Sequence, residues 1–195
     1  MNRKSKYTIK VALLSAMAFI LMLFQFPLPI FPGFLQIDFS DLPALIGSFA
    51  LGPFAGMVIE GLKNLLFALI RGTQTGGVGE LSNFIVGSAL VVPAGWVYLK
   101  YKTKKGALKG LVAGVLSMAV VASLSNYFLV LPLYQKVLGM PLEVIVESSA
   151  QVNSAIVDIR SLIIFGITPF NLVKGTAVSI VTILLYKRLS WLLHK

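Results

Sequence analysis

Asn171 and Lys174 stand three residues apart in "ITPFNLVKGTAV", residues 167–178, inside the apolar run "SLIIFGITPFNLVKGTAVSIVTILLY". That spacing puts them on one face of a helix. A carboxamide offers one acceptor and two donors, and an ammonium offers three donors. Such a face suits a ligand gripped by hydrogen bonds. A lysine near a bilayer centre costs roughly 2.5–3.5 kcal/mol on insertion scales unless something compensates it, so the pair marks a functional position. Two more amides stand in similar settings: Asn126 in "SLSNYFLV", flanked by Ser123 and Tyr127, and Asn83 in "ELSNF".

The chemistry these residues could do is binding. The sole histidine, His194, is penultimate and reads as a solvated tail, so no Ser/His/Asp set can form. The chain has no cysteine, hence no thiolate nucleophile and no Cys-based metal site. No metal site is expected. The glycine-rich "RGTQTGGVGE" lacks the Walker spacing of a nucleotide loop and reads as a flexible turn, with a second lid element as the alternative.

The elements that must position these groups are membrane helices. The 195-residue chain is 57% hydrophobic and only 12% charged, with mean hydropathy +0.88. Soluble domains average about 25% charged residues. The apolar runs are about 18–25 residues long, enough to cross a hydrocarbon core of about 30 Å. The net charge of +10 does not indicate nucleic acid, because most basic residues flank the apolar runs.

The fold class expected is an all-α membrane protein, one substrate-binding domain over 1–195. Six helices are predicted at about 8–26, 41–52, 54–70, 81–101, 107–131 and 161–187. Gly52 and Pro53 mark the break after the second, the shortest. The basic N-terminus followed by an apolar run resembles a signal peptide, but the run is long and no small-x-small site follows it, so it reads as a first spanning helix.

Three basic clusters orient the set: Arg3 to Lys10, Lys100 to Lys109, and Lys187 to Lys195. Basic residues favour cytoplasmic loops. Six spans put all three clusters on that side, with both termini inside; five would split them.

The outer loops are then 27–40, 71–80 and 132–160, carrying Asp38, Asp41, Glu80, Glu143, Glu147 and Asp158. The first, "PLPIFPGFLQIDFSD", is apolar, proline-rich and non-helical, and is expected to fold back over something. Asn171 and Lys174 lie roughly 16 and 21 Å below the outer end near Arg160, and Asn126 roughly 8 Å below Leu131. Pro169 should bend its helix. The polar groups therefore converge on a cavity open to the outside. Glu60 and Lys63, three apart on the third helix, can pair with each other in a structural role. Ala12 and Ala16, four apart on the first helix, make a small-residue strip that another helix could approach closely.

The motifs "ALLSAMAFIL", "IDFSDLP", "GPFAG", "LKNLL", "SNYFLVLPLY" and "TPFNLVKG" resemble those of the substrate-binding S components of energy-coupling factor vitamin transporters, most of all the riboflavin-specific members. The resemblance covers essentially the whole chain. It implies a multi-pass protein of the bacterial cytoplasmic membrane with no enzymatic activity and no cofactor. It would bind riboflavin from outside and deliver it inward with a membrane coupling subunit and two cytoplasmic ATPases. It further implies that Asn126, Asn171 and Lys174 contact the flavin. The first outer loop, about Pro29 to Ser40 with Leu35 and Gln36, would close over it; Asn83 joins the site as one of the converging polar groups and Tyr127 as an aromatic neighbour. Ala12 and Ala16 would meet the coupling subunit.

Riboflavin's imide edge suits an amide, and Phe170, Tyr127 and Phe128 could cover its ring. An S component for another vitamin, or a membrane enzyme or scaffold, are the alternative readings.

Overall fold

The computed structural model describes residues 2–193; His194 and Lys195 lie outside the described residues. Helix α1 spans Arg3–Met22. Two short antiparallel strands follow, β1 Phe26–Pro27 and β2 Gln36–Ile37, with Phe26 opposite Ile37. Then come α2 Asp41–Leu51, α3 Pro53–Arg71, α4 Val78–Tyr101 and α5 Lys104–Ser125. A π-turn at Asn126–Val130 carries α5 on into α6, Leu131–Leu138. After α7, Leu142–Ala150, comes the single turn α8, Ile159–Ser161. A second π-turn at Leu162–Ile167 leads into α9, Thr168–Leu193.

Among the described residues, five helical stretches are long and apolar enough to cross a membrane: α1, α3, α4, α5 continued through α6, and α8 continued through α9. Helix α2 has only 11 residues, about 17 Å of helix, too short to span unaided. It ends where expected. Gly52 sits at φ 105°, a conformation that only glycine adopts without strain. Pro53 then opens α3, where its missing N–H costs nothing.

Several predicted limits move. The first helix stops at Met22, short of residue 26, because the proline-bearing segment after it pairs as a hairpin. The fifth runs on to Leu138, and part of the expected outer loop 132–160 is helical, as the end of α6 and α7. The reason is shared with the sixth. Pro132 and Pro169 each follow a π-turn by one residue. A proline removes one helical hydrogen bond and crowds the turn before it. Widening that turn absorbs the misfit without ending the helix.

Helices α4 and α5 approach closely through small residues. A Cβ on Gly110 would stand 2.5 Å from the Ala94 carbonyl oxygen, and one on Gly114 would stand 2.5 Å from that of Leu90. Backbone approach of this kind is how helices gain packing energy in lipid. Core side chains such as Leu45, Ile59, Leu90, Leu111 and Ile167 fill the bundle interior. On α1, Val11, Ser15, Ala18 and Met22 face inward, whereas Ala12, Leu13, Ala16 and Met17 are exposed.

Candidate binding cleft

A cleft with about 120 Å³ of interior room opens at one end of the bundle. Its walls come from five places. The hairpin region supplies Phe34, Leu35 and Gln36, and the first residue of α2 supplies Asp41. One face of α4 contributes Gly79, Ser82, Asn83, Val86 and Gly87, spaced three and four apart. Met118, Asn126, Val130 and Tyr134 come from α5 through α6, and Phe170, Asn171 and Lys174 from α9.

The cleft and the 100–109 basic cluster lie at opposite ends. On α4 the lining residues sit in the first ten positions and Lys100 in the last turn. Asn126 is about 33 Å of helix from Lys104.

The two asparagines are held alike. Asn126 Nδ2 donates to the Ala122 carbonyl at 2.8 Å, and Asn171 Nδ2 to the Ile167 carbonyl at 2.9 Å. Each amide is thereby fixed in orientation by the helix turn below it. Its oxygen and second N–H remain to be offered to the cleft. Asn126 opens the first π-turn, and the carbonyl that Asn171 uses closes the second. Asn83 accepts a long contact, 3.4 Å, from Asn64.

Lys174 does not stand alone. Its Nζ lies 2.9 Å from Asp38 Oδ2 and 3.6 Å from Asp41 Oδ2. Asp38 and Asp41, expected on the outer loop that folds back, are 2% and 1% exposed. The loop turns inward and brings two carboxylates to a buried ammonium, whose charge would otherwise be unpaired. Asp38 also accepts the Ser40 N–H at 2.7 Å, which shapes the turn into α2.

Behind this pair, Lys63 donates to Asp41 Oδ1 and to Ser40 Oγ at 2.8 Å, and lies 2.7 Å from Glu60 Oε2. The expected Glu60–Lys63 pair exists, but within a larger cluster. Glu60 fits behind the wall because residue 87 is glycine; a Cβ there would meet Glu60 Oε2 at 2.3 Å.

Of the aromatic residues expected over a ligand, only Phe170 lines the cleft. It packs edge-on against Phe31 at 5.4 Å and joins Ile37 in a small cluster that pins the hairpin to α9. Tyr127 and Phe128 do not line it; they pack edge to face on each other at 4.9 Å, Phe128 being 71% exposed. The sequence reading missed Phe34, Tyr134 and Ser82. Helical spacing from Asn126 and Asn83 would have reached Val130 and Val86 on the same faces.

The 71–80 segment is ordered rather than open. Thr73 and Thr75 hydroxyls each donate to Glu80 at 3.1 Å, and the Gly77 and Gly79 N–H groups donate back to those hydroxyls. It caps α4 and delivers Gly79 to the cleft. No group of three or more metal-ligating His, Cys, Asp or Glu side chains occurs among the described residues.

Comparison with known proteins decides the class. The family "ECF transporter, substrate-specific component" matches residues 6–186. The chain belongs to that family. This S component is 37% identical to the riboflavin transporter FmnP of Bacillus subtilis over 187 residues, 95% of this chain and 93% of that one. It is 35% identical to the riboflavin transporter RibU of Staphylococcus aureus, over 96% and 92% of the two chains. A solved structure described as the S component of a bacterial ECF transporter superposes with TM-score 0.78 at 35% identity, over 99% of this chain and 100% of that chain. The protein is thus a helical membrane transporter subunit and not an enzyme, which sets aside the enzyme alternative.

Proposed function

We propose that this S component binds riboflavin in the cleft from the outer side of the cytoplasmic membrane and hands it inward with a coupling subunit and two ATPases. The observation that carries this is the cleft's make-up: two orientation-locked carboxamides and one ammonium, joined by Gln36, Asn83 and Asp41, facing apolar side chains from Phe34, Leu35, Met118, Val130 and Phe170. An uncharged flat ligand with an imide edge and ring acceptors matches that set. The relatives named as riboflavin transporters support the same ligand.

In this reading Asn126, Asn171 and Lys174 grip the ring system, Asn83 and Gln36 meet polar substituents, and Leu35 with Phe34 and Phe170 covers it. Tyr127 supports the helix from outside the cleft. The described helices act as one binding unit. Six crossings are counted with α2 as the short one, both termini being cytoplasmic. The basic clusters and the cleft lying at opposite ends support that orientation. Ala12 and Ala16, exposed on α1, form the strip on which the coupling subunit docks.

Riboflavin fluorescence is the direct assay. Titrated with detergent-solubilised protein, it is quenched to saturation at one ligand per chain. Absence of quenching by folded protein contradicts the assignment, and saturation by a different vitamin replaces the ligand while keeping the class. Orientation is tested separately with single cysteines at Thr75 and Thr103. An impermeant reagent labels only Thr75→Cys in intact cells; labelling of both overturns the six-crossing arrangement.

A further inference from the structure

Lys174 Nζ has three hydrogens and two carboxylates. Asp38 takes one hydrogen at 2.9 Å, and Asp41 pulls on a second from 3.6 Å. The two acids stand differently to the cleft: Asp41 lines it and Asp38 does not. Asp41 is shared in turn. Its other oxygen is taken by Lys63, which also holds Ser40 and lies against Glu60. Lys63 and Glu60 are fully buried, and neither lines the cleft.

The chain of charges therefore runs Glu60, Lys63, Asp41, Lys174, Asp38, from the middle of α3 through the start of α2 to α9 and the base of the hairpin. Asp41 Oδ2 and both Glu60 oxygens have no geometrically good hydrogen bond. Asp41 is thus under-satisfied on the side facing Lys174 and well held on the side facing Lys63.

We infer that Lys63 and Asp41 are positioning residues for the ligand. They set where the Lys174 ammonium stands, with one N–H directed into the cleft. The inference rests on the riboflavin reading of that cleft. Lys63 never touches the ligand; it acts by drawing Asp41 away from Lys174, which leaves the second Lys174 contact long. Without Lys63, Asp41 closes on Lys174 and competes with the ligand for its hydrogens. Without the Asp41 charge, Lys174 follows Asp38 out of the cleft wall. Both changes move the ammonium off its set point and weaken binding. Apolar packing alone would give no reason for an effect at Lys63 to depend on Lys174.

The test is a double-mutant cycle on riboflavin Kd. Removing Lys63 alone strands two buried carboxylates, so the variant is the charge-balanced pair Lys63→Met with Glu60→Gln, which removes one buried charge of each sign. It is compared in the parent, in Lys174→Met and in Asn171→Ala. The expected result is a roughly tenfold rise in Kd in the parent and in Asn171→Ala, and less than about twofold in Lys174→Met, a coupling on the scale of charge-assisted hydrogen bonds.

Asp41→Asn in the same three backgrounds follows the same pattern and serves if the first pair does not fold. Vibrational difference spectra of the bound flavin add a second readout, with the carbonyl band that moves in Lys174→Met moving also in the Lys63 pair. An equal factor in all three backgrounds, or no change in any, overturns the inference. If the parent itself does not bind riboflavin, the ligand assignment has failed instead.

Discussion

The cleft half of the bundle and its opposite half treat buried polarity in contrasting ways. Away from the cleft, several buried polar side chains are single hydroxyls returned to backbone carbonyls: Ser15 to Val11, Thr182 to Val178, and Ser48 to Val91 across a helix pair. These satisfy the donor and add close packing, no more. Near the cleft the buried set is charged and amidic: Asp38, Asp41, Glu60, Lys63 and Lys174, with Asn126 and Asn171.

A membrane protein that needed only to be stable could do without such groups, since replacing a buried ion pair by apolar residues is often neutral or better. Their concentration around one opening is the signature of a binding site. The opposite half offers small residues, and is suited to meeting another helix.

The contrast predicts that the two halves can be broken separately. The largest effect is expected on α1. Ala16→Trp, or Ala12→Trp, should abolish ATP-dependent riboflavin uptake and co-purification with the coupling subunit and ATPases, while binding by the isolated protein is retained. Uptake and binding measured on the same variant decide it. Loss of both would place the strip in internal packing, and retention of both would remove it from the docking surface.

In the cleft half, Asn171→Ala or Lys174→Ala should each weaken riboflavin binding by about 1–3 kcal/mol, the scale for leaving a buried partner unpaired. That corresponds to about 5- to 150-fold in Kd by fluorescence quenching. Parent-like binding by both folded variants would misplace the site.

A third change should touch stability more than binding. Gly110→Val pushes a side chain into the Ala94 backbone between α4 and α5, and overpacking of this kind costs about 1–3 kcal/mol. A lower thermal midpoint in detergent with Kd within about threefold of the parent is expected; an unchanged midpoint would mean that the helices are not so close.

The smallest effect belongs to Tyr127→Ala. Pointing away from the cleft, it should alter Kd by less than about twofold, and a tenfold loss would put its ring back over the ligand.

Much of this contrast could be read from residue types and spacing, and the rest could not for identifiable reasons. Asn126, Asn171 and Lys174 stood out because each is expensive in an apolar run. The Gly52–Pro53 break was legible from backbone preference alone. What stayed hidden was the partner of Lys174. Asp38 lies 136 positions away, in an apolar, proline-rich loop. Its apolar character says that the loop folds back, but not which of its side chains meets Lys174. The two π-turns were hidden too, since a proline in a long apolar run signals a disturbed turn without saying how the helix absorbs it. Tyr127 is adjacent to Asn126 in sequence but packs on Phe128 instead of lining the cleft, and adjacency alone does not reveal which way it turns.

The most direct test of the central claim is the identity of whatever the purified protein carries. Protein prepared from cells supplied with riboflavin is denatured, and its small-molecule extract is analysed by mass spectrometry beside the Asn171→Ala/Lys174→Ala double variant. The account predicts a yellow parent whose extract contains riboflavin at close to one per chain, and a folded double variant that carries little or none. A folded parent carrying a different vitamin, or a double variant carrying riboflavin as fully as the parent, would contradict it.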